Sequence, residues 1–218
     1  MKTVFFDLDG TLTDSRPGIL AGVAYAMGRL GVAVKAEEVS TAFIGPPLYD
    51  SFRALYGMDD PTAKRAVGLY REYYSEEGIL QNEVYAGVPA LLEGLSSAGI
   101  RLALATGKPH PYARRILAHF GLDLFFSAVF GAEFDGTHGE KADLLAYATT
   151  TLGVPPCRAL MVGDRRYDIE GALAVGATPV GVLWGYGSYE ELSLAGAVHL
   201  AATPEEAEAV IRALAQEK

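Results

Sequence analysis

The chain has 218 residues, half of them hydrophobic, and carries a formal net charge of −9 at pH 7. That length suits one large domain or one domain with a modest insertion, and so much apolar material excludes disorder as the main state. The acidic balance repels phosphate backbones and anionic lipid, so the expected partners include no nucleic acid and no membrane.

In chain order, the first apolar run, Thr3–Leu8, breaks off into Asp7-Leu8-Asp9-Gly10-Thr11. Its nearly continuous hydrophobicity predicts a strand buried on both faces, as in a parallel sheet covered by helices. From about residue 15 to about residue 85 only helical patterns follow: Pro17–Leu30, Ala36–Phe43, Leu48–Leu55 and Thr62–Glu77. Beyond this insertion the rhythm alternates. A helix over Pro89–Ala98 stops at Gly99, a strand covers Arg101–Ala105, and a helix over Pro109–Phe120 stops at Gly121. Next come a helix over Lys141–Leu152, a strand over Ala159–Val162, a helix over Ile169–Val175, a strand over Pro179–Leu183 and a closing helix over Pro204–Ala215. Glycines just past helix ends and prolines at their starts mark the boundaries. Alternation of this kind predicts an α/β doubly wound domain.

No apolar run reaches the roughly 18 residues that a membrane span needs. The first residues lack the long apolar stretch and small-residue cleavage site of a signal peptide. The single cysteine, Cys157, cannot form an internal disulfide. Together these predict a cytoplasmic protein.

Chemistry concentrates where strands end. Asp7 and Asp9 alternate on an extended chain and so start on one face, and Gly10 lets the backbone turn. Two neighbouring carboxylates repel unless a proton or cation intervenes, and a hard cation such as Mg²⁺ suits them, although Asp-Gly also marks ordinary turns. A second acidic pair, Asp164 and Asp168, follows the strand Ala159–Val162. At i and i+4 the two share a face if the segment is helical, while Asp164 as a helix cap and Asp168 as a first-turn acid is the plainer alternative. Thr106-Gly107-Lys108-Pro109 offers a hydroxyl and backbone N–H groups at an expected helix start, which is an anion site or simply a turn. Lys141 opens a helix, where a cation opposes the helix dipole; alone it reads as a solvated surface charge. In an open α/β sheet ligands bind beyond the carboxyl ends of the strands, and these motifs fall there together. Acids, a hydroxyl and a lysine are the parts that phosphoryl transfer needs.

The run Asp7-Leu8-Asp9-Gly10-Thr11-Leu12-Thr13-Asp14-Ser15, with Thr106, Lys141, Gly163-Asp164 and Asp168 in that order, resembles the haloacid dehalogenase superfamily of hydrolases in its phosphatase branch. Phe43–Leu48 and Gly181–Ser188 resemble its phosphoglycolate phosphatase-like and 5′-nucleotidase-like members. The resemblance implies an α/β, doubly wound Rossmann-like parallel sheet with a small α-helical cap inserted after the first strand. Residues 1–14 and 86–218 would form the catalytic core and residues 15–85 the cap. It further implies Asp7 as the nucleophile and Asp9 as general acid and then base. Leu8, Asp9, Thr106, Gly107 and Lys141 would bind the phosphoryl group. Mg²⁺ would be held by Asp7, the backbone carbonyl of Asp9 and Asp164, with Asp168 supporting. The implied activity is hydrolysis of a small phosphorylated metabolite by a monomer or homodimer. A phosphosugar mutase of the same superfamily, and a non-catalytic receiver-like module phosphorylated on aspartate, are the alternatives. Of the remaining residues, Tyr70, Tyr73 and Tyr74 read as packing, Trp184 as a residue under a loop, and Cys157 as inert. His138 is the better histidine for a role near Lys141. Leu48 and Phe52 are expected to tune substrate ranking, and loss of Lys141 is expected to leave thermal stability unchanged.

Overall fold

The computed structural model describes residues 2–34 and 42–216. It divides into two compact units, Met1–Thr13 with Val84–Lys218, and Asp14–Glu83.

Among the described residues of the smaller unit, the α-helices are α1 (Arg16–Leu30), α2 (Leu48–Tyr56) and α3 (Asp60–Glu76). Pro17 opens α1, and Gly31 closes it in the left-handed conformation. Asp59 caps α3 by accepting from Thr62 N–H at 3.0 Å. α1 and α3 pack closely because position 22 is glycine, where a Cβ would strike the Tyr70 ring. The three tyrosines are packing residues, as their spacing predicts. Tyr70 stacks on Tyr74 at 5.2 Å and Tyr73 on Tyr25 at 5.5 Å. Phe52 is wholly buried with its ring 4.8 Å from that of Phe43. It belongs to the unit's own core, which removes it as a residue presented to substrate. Apart from Ala42 and Phe43, the helix expected over Ala36–Phe43 lies outside the described residues.

Among the described residues of the larger unit, the main sheet has six strands: β1 (Thr3–Phe6), β2 (Arg101–Pro109), β3 (Ala128–Ala132), β4 (Ala159–Gly163), β5 (Thr178–Val182) and β6 (Leu200–Ala201). Their order is β3-β2-β1-β4-β5-β6, every pair parallel. Six helices accompany them: α4 (Val88–Ser97), α5 (His110–His119), α6 (Lys141–Leu152), α7 (Arg166–Val175), α8 (Tyr189–Leu194) and α9 (Pro204–Gln216). The α/β doubly wound, parallel architecture predicted from the alternation is the one observed. One core cluster gathers Phe5, Ala103, Ala105 and Met161 from the sheet with Leu144, Leu145 and Ala148 of α6 and Ala172 of α7. β1 is flanked by β2 and β4, so Phe5 lies in register with both Ala103 and Met161. Strand order reverses at β1, and the carboxyl ends of these three strands make the crevice where such sheets bind ligands.

Candidate active site

Asp7 is the first residue beyond β1, and its N–H donates to the Val162 carbonyl at 2.9 Å, extending the parallel ladder beside β4. The chain then turns tightly. The Leu8 carbonyl accepts from the N–H groups of Leu12 (2.9 Å) and Thr13 (3.1 Å), and Gly10 adopts φ +88°, which favours glycine. A Cβ at position 10 would also collide with the Asp164 carboxylate, so glycine is needed there for space as well as for shape.

Asp164 follows β4 and is fully buried. Its Oδ1 accepts from the Thr11 hydroxyl at 3.0 Å and its Oδ2 from the Tyr186 N–H at 2.8 Å. The Trp184 indole N–H donates to the Thr11 carbonyl at 3.0 Å, tying the two loops together. Asp164 stands before α7, whose cap position is Arg165, so the plainer reading of Asp164 as a helix cap is set aside. Asp168 lies in the first turn of α7, where its Oδ2 accepts from Arg165 N–H at 3.1 Å. Carboxylate oxygens of Asp7, Asp164 and Asp168 all lie within 4.8 Å of one another.

Lys141 is the first residue of α6 and is buried, not solvated as its isolated position suggests. Its ammonium donates to Asp7 Oδ1 (2.8 Å), Asp168 Oδ1 (2.7 Å) and the Ala105 carbonyl (2.9 Å). Three donors meet three acceptors, so the cation is fully engaged. Burial alone lowers the ammonium's pKa, but Asp168 and Asp7 outweigh it and hold the group above the ordinary lysine range. The carboxylates respond oppositely. Burial, opposed by Lys141 and reinforced by Asp168, pushes Asp7 up to about 6. Burial, then Asp168 and Asp7, raises Asp164 well above the usual carboxylate range. Three buried acids against one lysine leave excess negative charge in an all-oxygen pocket, and that fits a divalent hard cation.

Asp9 stands apart from this cluster by its side chain. Both its oxygens accept from the Lys108 ammonium, at 2.9 and 2.6 Å. Nothing in the spacing of the Thr106–Pro109 segment pointed to Lys108; only its position two residues after a candidate phosphate ligand hinted at it. β2 continues through Pro109, with a register shift between Thr106 and Pro109, and α5 begins at His110. The irregular strand end therefore runs straight into the expected helix, with Pro109 at its cap position. Buried Thr106 accepts from Lys108 N–H through its hydroxyl at 3.2 Å, while Gly107 beside it is exposed. The Leu8 side chain is wholly buried, which leaves its main chain as its only means of meeting a ligand. His138 takes a positive φ of 58° and stacks on Tyr147 at 4.4 Å, and the structure gives it no contact with the acids.

Fold and site together define an α/β doubly wound domain with buried acids gathered beyond the ends of its central strands. The chain belongs to the haloacid dehalogenase-like hydrolase family: that family's model matches residues 1–176, and a model of HAD-hydrolase-like sequences matches residues 141–215. It is 44% identical to the tyrosine-protein kinase PtkA of Mycobacterium tuberculosis, over 85% of this chain and 63% of that protein, so it spans less than two thirds of that relative's length. It is 42% identical to a 5′-nucleotidase of Pseudomonas aeruginosa, over 87% of this chain and 86% of that one. The crystal structure of a "predicted phosphatase" from Clostridium acetobutylicum superposes with a TM-score of 0.93 at 40% identity, covering 97% of this chain and 98% of that one.

Proposed function

We propose that the chain is a Mg²⁺-dependent phosphatase that hydrolyses a small phosphomonoester, such as phosphoglycolate or a nucleoside monophosphate. The observation that carries this reading is the convergence of Asp7, Asp164 and Asp168, with Lys141 paired to Asp7 and Asp168 and Asp9 held separately by Lys108. An Asp7 oxygen attacks phosphorus, and the bond from phosphorus to the ester oxygen breaks. Asp9 gives its proton to the departing oxygen, leaving a phosphate ester on the Asp7 carboxyl. Asp9, now a carboxylate, takes a proton from water, whose oxygen attacks phosphorus and frees inorganic phosphate and Asp7. Lys141 offsets the charge of Asp7 before the dianionic substrate arrives, and trades a carboxylate contact for a phosphoryl oxygen. Thr106 and the main chain of Leu8 and Gly107 complete the phosphoryl contacts. Asp7, Asp164 and the Asp9 carbonyl, with Asp168 in support, would hold Mg²⁺, which would supply the charge neutralisation that lets anion approach anion.

Residues 15–85 act in this reading as a cap that admits small esters; efficient dephosphorylation of folded phosphoproteins would count against it. The direct test is phosphate release from a panel of phosphorylated metabolites with Mg²⁺ and with chelator. Turnover that survives complete metal removal overturns the metal assignment. A second reading, transfer of phosphoryl to tyrosine, is favoured by the identity to the mycobacterial kinase. The same nucleophile would serve it, and the acceptor separates the two. A hydrolase releases inorganic phosphate from monoesters, whereas a kinase yields phosphotyrosine from a nucleotide.

A further inference from the structure

Lys108 is connected at both ends of the residue. Its backbone N–H donates to the Thr106 hydroxyl oxygen at 3.2 Å, and its ammonium meets both Asp9 oxygens at 2.6 and 2.9 Å. The ion pair is well sheltered, with side chains 5% and 15% exposed, so solvent weakens it little. The two residues are 99 positions apart and come from the ends of neighbouring strands. A hydroxyl that accepts a backbone N–H keeps its own hydrogen for a different acceptor, so Lys108 also settles which way the Thr106 hydroxyl can donate. A short carboxylate gripped at both oxygens has one orientation, whereas an ungripped Asp9 would be repelled by the Asp7 cluster beside it.

We propose that Lys108 is a positioning residue that fixes the Asp9 carboxyl for proton transfer to the leaving oxygen, while orienting the Thr106 hydroxyl toward the phosphoryl group. This rests on the reading of Asp9 as the general acid. Positioned proton transfer matters most when the leaving oxygen is strongly basic, and least when it departs readily as a stable anion. The signature is therefore the dependence of kcat/KM on the leaving group, since kcat/KM covers the steps through ester cleavage. A phosphate ligand or structural residue would lower all esters alike.

The experiment measures kcat/KM for a series from p-nitrophenyl phosphate to simple alkyl phosphates in wild type, Asp9→Asn, Lys108→Met and Lys108→Arg. In Lys108→Met the alkyl esters should lose about 10²-fold and p-nitrophenyl phosphate less than about 5-fold. Lys108→Arg, which can still grip both oxygens, should restore most of the alkyl rate and keeps the test open if the methionine variant folds poorly. Asp9→Asn should steepen the series at least as much. If Asp9→Asn steepens it while Lys108→Met lowers every ester equally, Lys108 does not position Asp9, and the acid role of Asp9 stands. If Asp9→Asn leaves the series flat, the reading of Asp9 fails and takes this inference with it.

Discussion

The ammonium of Lys141 lies 2.8 Å from Oδ1 of Asp7, although 134 positions separate them. Both groups are buried, and the same nitrogen holds Asp168. Removing this cation leaves buried carboxylates without compensation. Lys141→Met should therefore lower turnover by on the order of 10²–10³. It should also destabilise the metal-free protein by about 3–5 kcal/mol. The unchanged stability expected from the sequence assumed an exposed lysine, which this one is not. Denaturant titration with kinetics on the same samples checks both.

Asp7→Asn keeps the shape of the side chain but not its nucleophilicity, so activity should fall below about 1% of wild type. Because burial and Asp168 disfavour the Asp7 charge, the amide should raise the melting temperature of the metal-free protein near pH 7.5. A variant that loses activity by unfolding would melt lower instead.

Metal-free stability should also follow pH. Asp7 has its folded-state pKa raised from 3.8 to about 6, and that of Asp164 is raised too, so between these values the native protein binds more protons than the unfolded chain. Stability from this source is complete below the unfolded pKa and is lost as pH rises through about 6. Melting temperature in chelator should thus fall between pH 5 and pH 7. Protons and Mg²⁺ compete for the same oxygens, so stabilisation by added Mg²⁺ should be large at pH 7.5 and small at pH 5.

Gly10→Ala combines an unfavourable backbone conformation with a collision against Asp164. The backbone alone costs about 1–2 kcal/mol. Displacing Asp164 should raise the Mg²⁺ concentration needed for half-maximal activity about 10- to 100-fold, the range found when support for a metal ligand is lost. A magnesium titration of activity reads this directly.

In the helical unit, Phe52→Ala should cost about 3–5 kcal/mol by opening a cavity against Phe43. Its effect should be on stability, with no change in the order of preferred esters.

How much of this could be read beforehand varied with the kind of signal. β1 and β4 were legible because strands buried on both faces are apolar without interruption, and α6 was found with its observed bounds, Lys141–Leu152. β3 was missed because two of its five residues face partly outward and one is glycine, and β6 because two residues carry no pattern. Pro109 marked a helix start to within one residue, since it is the cap position of α5, while β2 ran further toward it than its apolar run suggested. Among site residues, the acids announced themselves by ending strands. The condition attached to the i to i+4 spacing was not met, since α7 begins only after Asp164, yet the two carboxylates still lie together. Lys108 was hidden for a different reason. The target of a long side chain depends on which strand lies next to its own, and β2 lies next to β1 only in the folded sheet.

The central place of β1 has a consequence for how the molecule comes into being. Asp7, just beyond its end, meets Lys141 across 134 residues, and Thr11 meets Asp164 across 153. Closing such loops is entropically expensive and is repaid only by the contacts made at closure. A chain folding from its amino end therefore carries Asp7 and Asp9 early but has no pocket for a cation until β4 slides in beside β1. Mg²⁺ cannot guide the earlier steps, because the ligands that would reward it are not yet together. During refolding, protection of β1 amides against exchange should precede or accompany any metal-dependent signal, and the enzyme should be silent until its sheet is threaded through the strand that carries Asp164.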